Sequence, residues 1–162
     1  SVKGSSTRTP KQVVVEKWMV PEQGWMEANI DGATSKVGDS AGGGVVFRDH
    51  HGAFHGGACY FFPSISNPET AELLSCQQTA HLAVELGVQK IHMELDCKTV
   101  VAMLNEPRKN LSAAGPVVEE IKGLLRSCRD SRVTWVRLTA NAAAHLLARE
   151  GVSNSLVYVM CA

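Results

Sequence analysis

An α/β fold, a mixed sheet flanked by helices, is what this sequence predicts, and three observations predict it. Three β-rich runs come first, the earliest of them alternating residue by residue from Trp25 to Ala33. Two further β-rich runs are then interleaved with segments of helical spacing. Finally, 162 residues with 44% hydrophobic side chains suffice for one core and are too few for two comfortable ones.

Taken in order, residues 1–17 read as a linker or N-terminal extension, polar and rich in Ser and Thr up to about Gln12, with a short apolar run at Val13–Val15. Trp18 and Pro21 lead into a first strand at about Gly24 to Asp31. Val45-Val46-Phe47-Arg48 and His55 to Phe62 flank the turn Asp49-His50-His51-Gly52 and make a hairpin. Gly42-Gly43-Gly44 before it imitates a phosphate loop, but it leads into a strand and lacks a following Lys-Ser, so a tight approach or a bulge is the better reading. Asn67-Pro68-Glu69 is a helix start, with a capping Asn and Pro at the first helical position. Ala71, Leu74, Gln78, Leu82 and Leu86 are expected to share that helix's buried face. Lys90–Leu95 forms the fourth strand, Cys97–Leu104 a short helix, and Gly115 to Cys128 a second long helix with Val117, Ile121, Leu124 and Leu125 on its apolar side. Arg132–Leu138 forms the fifth strand and Asn141–Arg149 the last helix. The tail Ser155–Ala162 is apolar but short and reads as a truncated end.

Bulk properties narrow the function. Sixteen basic and sixteen acidic residues balance, so any nucleic-acid groove is a local patch and not a property of the whole surface. The five cysteines are scattered, with no Cys-x-x-Cys pair, which suits neither a zinc site nor a disulfide framework and leads us to expect a reduced, intracellular protein. No apolar run is long enough to span a bilayer. Because the chain opens on Ser1, we expect it to be a piece of a longer protein whose upstream region could engage a protein partner.

Three acidic residues carry the candidate chemistry. Asp31 ends the first strand, Asp96 ends the fourth, and Glu72 lies near the start of the first long helix. If strand one is central and pairs with strands two and four, Asp31 and Asp96 end side by side, at the edge where open α/β sheets place ligands. Carboxylates from three separate elements, none locally paired to a base, suggest a divalent-metal site. Two alternatives stay open: Asp31-Gly32 as a simple turn, and Glu72 as a partner of the helix dipole, a role Glu69 fills equally well.

The motif Trp18-x-x-Pro21-x-x-Gly24-Trp25-x-x-Asn29-x-Asp31-Gly32-Ala33 resembles the ribonuclease H fold in its reverse-transcriptase-like plant branch. Ala71-Glu72-Leu73, Glu94-Leu95-Asp96, Arg48-Asp49-x-x-Gly52 and Asn141-Ala142-Ala143-Ala144-His145-Leu146-Leu147-Ala148 fit the same branch, in the same order. The resemblance covers residues 18–162 and implies a five-stranded sheet of order 3-2-1-4-5 with strand 2 antiparallel. It also implies an endonuclease that hydrolyses the RNA strand of RNA–DNA hybrids with two magnesium ions, manganese being the alternative. The ligands it implies are Asp31, Glu72, Asp96 and, at the fourth position, His145, where the classical enzymes carry aspartate. Neutral imidazole contributes no charge and suits manganese, iron or zinc better than magnesium, and a helix-surface histidine is the plain alternative.

Other departures favour a rival reading, a catalytically weak or inactive domain kept as a nucleic-acid- or protein-binding module. The loop after strand five, Thr139-Ala140, lacks the family's mobile histidine, and no long basic protrusion is visible, leaving Lys98, Arg108, Lys109 and Lys122 as the cations at hand. His50, His51 and His55 read as turn residues, His81 as helical and His92 as packed within strand four. A retroelement remnant is the third possibility. A monomer is expected.

Overall fold

The computed structural model describes residues 24–155 and 157–161. The linker expected at residues 1–17, with Trp18 and Pro21 after it, lies outside the described residues.

Strands β1 (Met26–Thr34), β2 (Ser40–Arg48) and β3 (Phe54–Pro63) form an antiparallel meander. Helix α1 (Pro68–Glu85) starts as expected: Pro68 opens it, and the Asn67 side chain accepts the Thr70 N–H at 3.0 Å. β4 (Lys90–Leu95) then lies parallel beside β1. After α2 (Lys98–Asn105) and α3 (Gly115–Ser127), β5 (Asp130–Trp135) lies parallel beside β4. A 3₁₀ turn at Leu138–Asn141 delivers the chain to α4 (Ala142–Asn154).

The sheet has six strands in the order β5-β4-β1-β2-β3-β6, so the expected 3-2-1-4-5 arrangement gains one strand on the β3 edge. That strand, β6 (Tyr158–Cys161), is the tail read from sequence as a truncated end. Ser155 adopts a left-handed conformation (φ 49°) at the end of α4, and the chain then pairs with the open ladder of β3. Four residues are too few to show a strand period. Only the free edge beside them makes them a strand.

The faces of β1 decide the architecture. Met26, Ala28 and Ile30 are buried in the main core with Leu73, Cys76 and Ala80 of α1, whereas Ala33 packs with Ala148 and Val152 of α4. Burial of a side chain such as Ile30 contributes about 1.5–3 kcal/mol. α1 therefore covers one face of the sheet, and α4 lies on the other against β1, β2 and β3. The buried side of α1 differs from the sequence expectation: Gln78 is exposed and Leu74 and Leu86 are half-buried, while Ser75, Cys76, Thr79 and Ala80 are buried. Small side chains let this helix lie close to the sheet, and Ser75 and Thr79 satisfy their hydroxyls on the Ala71 and Ser75 carbonyls at 2.6 and 2.8 Å.

The glycine triplet belongs to β2 itself. A Cβ on Gly42 would lie 2.5 Å from the Ala148 carbonyl oxygen, and one on Gly44 would lie 2.4 Å from that of Ala144. The expected tight approach is thus the seating of α4 on β2, which fixes where the first turn of α4 sits.

Candidate functional site

β1 extends to Thr34 and does not stop at Asp31, because β2 goes on pairing with it as far as Thr34↔Ala41. What ends near Asp31 is the other ladder: β4 pairs with β1 only up to Ile30↔Leu95. Beyond that point the β4 side of β1 is open, and there the Gly32 N–H donates to Glu72 Oε2 at 2.8 Å. A Cβ on Gly32 would lie 2.5 Å from the Glu72 backbone nitrogen, so this glycine is what lets α1 come close enough for the contact. The Asp-Gly pair serves helix approach, not a turn.

Asp31, Glu72 and Asp96 are brought together, each offering an oxygen within 4.8 Å of the others. Asp31 and Glu72 are buried, and Asp96 is half-buried. Glu69 is the acidic residue of the first turn of α1, and Glu72 lies on the buried side. Burial, reinforced by the Asp31 charge, pushes the Glu72 carboxyl up to about 10. Asp96 is raised as well, by burial first and then by Asp31. Glu72 Oε1 is buried with no hydrogen-bond partner among the described residues. A proton or a cation is needed to complete it. Hard carboxylate oxygens with one orphaned acceptor fit a divalent ion such as magnesium or manganese.

His145, in the first turn of α4, hydrogen-bonds through Nδ1 to Asp31 Oδ2 at 2.6 Å. Nε2 is the ring nitrogen left outside this contact, on a side chain 40% exposed. Of the four residues anticipated at this site, Asp31, Glu72 and Asp96 converge, and His145 joins them through Asp31.

Two residues that hold the site were not assigned a role from sequence. Asn141 is buried, and its Nδ2 donates to the Ile30 carbonyl at 2.6 Å, tying the start of α4 to the residue before Asp31. Trp135 donates from Nε1 to the Asp96 carbonyl at 3.2 Å, with Lys98 Nζ 4.6 Å from its ring centroid. The register Leu95↔Trp135 puts the indole there, and β5 ends at Trp135, short of the Leu138 expected from sequence.

The remaining candidates serve elsewhere. Lys122 is buried and clamps the loop before α3, donating to the Glu106 and Arg108 carbonyls at 2.6 and 3.1 Å. Arg108 pairs with Glu106 at 2.8 Å. Asp49 accepts the His51 and Ala53 N–H groups and lies 2.9 Å from His55 Nε2, which holds its carboxyl down at about 2. His92, read as packed within strand four, lies in β4 on its half-buried face, 20% exposed and 2.7 Å from Thr134 Oγ1. The connection from β5 to α4 is longer than Thr139-Ala140, spanning Val136 to Asn141 with its 3₁₀ turn, and contains no histidine.

Comparison with known proteins bears on family and fold. The family model described as reverse transcriptase-like matches residues 29–151. An Arabidopsis thaliana protein named as a ribonuclease H is 30% identical over 139 residues, 86% of this chain, and the matched region spans only 22% of that relative. Among solved structures, ribonuclease H1 of the archaeon Halobacterium salinarum superposes with a TM-score of 0.73 at 20% identity, covering 81% of this chain and 99% of that one. LC11-RNase H1, solved in complex with an RNA/DNA hybrid, superposes with a TM-score of 0.66 at 14% identity over 80% of this chain and 98% of its own.

Proposed function

The chain belongs to the reverse transcriptase-like family, and on that premise we propose that it is a divalent-metal-dependent ribonuclease H-type endonuclease domain. Its substrate in this reading is the RNA strand of an RNA–DNA hybrid, cut to leave 3′-hydroxyl and 5′-phosphate ends. The observation that carries the proposal is the convergence of Asp31, Glu72 and Asp96 with the orphaned Glu72 Oε1 among them. The relative's name and the hybrid-bound structural neighbour support the same direction.

Asp31, Glu72 and Asp96 would hold the ion, magnesium or manganese, with His145 at the fourth position. Bound there, divalent ions supply an acidified water and neutralise charge on the phosphate and the leaving oxygen. The chain's own residues do the rest. Gly32 N–H fixes one oxygen of Glu72 and leaves the other turned inward. Asp31 orients His145 through Nδ1, so Nε2 is able to accept a proton from water or ligate. Trp135 holds the backbone of Asp96, and Asn141 holds the base of α4 against β1. An aspartate at position 145 would face Asp31 as a like charge; the histidine replaces that repulsion by a hydrogen bond.

His145 also favours a second reading, a catalytically weak domain that binds nucleic acid, because three carboxylates neutralise less of two dications than four do. Cleavage of a labelled hybrid in magnesium and in manganese, with Asp31→Asn as control, separates the two. Products that vanish in the variant establish the nuclease; binding without cleavage in either metal supports the module. His145→Asp is expected to raise magnesium-dependent cleavage relative to manganese-dependent cleavage, and an unchanged ratio removes position 145 from metal choice.

A further inference from the structure

A second group of donors stands on the same side of the sheet, on the part α4 leaves open. Glu27 of β1 lies opposite His92 of β4 in the parallel register, and Asn29 lies opposite Glu94. Glu27, His92 and Glu94 each offer a ligand atom within 4.8 Å of the others. His92 Nδ1 and Glu94 Oε1 are 3.8 Å apart, too far for a hydrogen bond. Two ligands of a tetrahedral ion at about 2.1 Å each stand about 3.4 Å apart, so the gap is near the size an ion requires.

The surroundings of these donors are the second, independent observation. His92 Nε2 is engaged by Thr134 Oγ1 at 2.7 Å, so Nδ1 is the ring nitrogen left facing Glu94. Asn29 Nδ2 donates to Glu94 Oε2 at 2.9 Å, and Arg48 in turn donates to Asn29 Oδ1 at 3.1 Å. Glu94 is thereby held on its far oxygen, with Oε1 turned to His92. Among the described residues neither glutamate is ion-paired with a lysine or arginine. The two guanidinium groups of this face are engaged elsewhere, Arg48 on Asn29 and Arg132 over the Trp25 ring at 4.1 Å. Arg48 is the register partner of Glu27 and Arg132 that of His92, yet neither guanidinium is salt-bridged to the glutamates, and two carboxylates beside an imidazole whose Nδ1 faces them make a donor set for a transition-metal dication.

We propose that Glu27, His92 and Glu94 form a second metal site, separate from the Asp31 cluster, that binds a divalent transition ion of the zinc type. Imidazole distinguishes its chemistry from the neighbouring carboxylate trio, whose oxygens prefer magnesium or manganese. Glu94 lies in β4 and Asp96 just past its end, two residues on, so the two sites lie about 7 Å from each other along the chain. Three protein ligands at a half-exposed surface leave a coordination position for water or an incoming phosphate oxygen.

The test is a zinc titration of the whole chain, followed in long-range proton–nitrogen spectra of the histidine side chains. The His92 signals are identified by their absence in His92→Gln. The expected result is a shift of His92 Nδ1 with zinc that persists in Asp31→Asn, and a 10–100-fold weaker apparent affinity in Asn29→Ala, which leaves all three ligands in place but frees Glu94. Asn29→Ala and Asp31→Asn proteins are checked for native circular dichroism first, and Thr134→Val serves as the equivalent variant on the His92 side. A His92 signal unmoved by zinc overturns the proposal, as does an affinity unchanged in both Asn29→Ala and Thr134→Val. Loss of the response in Asp31→Asn would assign the zinc to the carboxylate cluster and also overturn it. Failure of hybrid cleavage leaves this outcome unaffected, because the readout is not activity.

Discussion

The two donor clusters share a sheet side and neighbouring residues, yet they are built on opposite principles. Around Asp31 the carboxylates are withdrawn from water, Asp31 at 4% and Glu72 at 3% exposure. Their mutual repulsion is unscreened, so a proton is retained on Glu72 well above the usual carboxylate range. Around His92 the side chains meet solvent, at 20% for His92 and 17% for Glu94. There water and salt soften the repulsion between the glutamates, and neutral partners aim the donors. A buried like-charge site stores a demand for a cation, while a half-exposed one only offers ligands.

The largest expected effect breaks the first cluster alone. Asp31→Asn removes the carboxylate charge proposed to hold the ion and the charged partner of His145, and hybrid cleavage is expected to fall by at least about 10²–10³-fold. Gel analysis of a labelled hybrid measures it; cleavage within threefold of wild type would falsify the assignment of Asp31. Next comes the support of the cluster. Gly44→Val drives a branched side chain into the backbone of α4, with the Ala144 carbonyl oxygen already 2.4 Å from a Cβ. We expect a cost of about 1–3 kcal/mol by urea denaturation together with reduced cleavage, since His145 rides on that helix. Full activity at reduced stability would detach His145 from the chemistry.

The sharpest test of the contrast is pH. A carboxyl whose folded pKa is raised binds its proton more tightly when folded. Metal-free stability owed to Glu72 is therefore complete below about 4.5 and declines as pH rises towards about 10. Melting curves in EDTA should show that decline, and Glu72→Gln should flatten it and gain about 0.5–2 kcal/mol at pH 8. In the same assay Glu27→Gln, in the half-exposed cluster, is expected to change stability by no more than about 0.5 kcal/mol. Equal responses of the two variants would erase the distinction between the clusters. Metal binding at the Asp31 cluster should correspondingly release a proton and tighten with pH, a trend isothermal titration in buffers of different ionisation enthalpy can read.

Much of this molecule is written in local pattern. The cap Asn67-Pro68, the alternation of β1 and the acidic positions 31, 72 and 96 are properties of short segments, and periodicity with turn chemistry exposes them. The ordering of those segments, together with the motif resemblance, was enough to anticipate the sheet order from β3 to β5 and the meeting of Asp31, Glu72, Asp96 and His145. What neither local pattern nor motif exposed were particular edges and close approaches between distant segments. Tyr158–Cys161 become a strand only because β3 has a free edge, and β1 runs past Asp31 only because β2 continues beside it. His92 reads as packed within strand four, and the alternation of β4 sets it on the half-buried face, where it meets Glu27. Glycines 32, 42 and 44 are conformationally unremarkable in sequence, but each is required by a helix backbone lying against it. Local propensity fixes which elements exist; edges, burial and close backbone approach are relations between elements, and only the packed chain decides them.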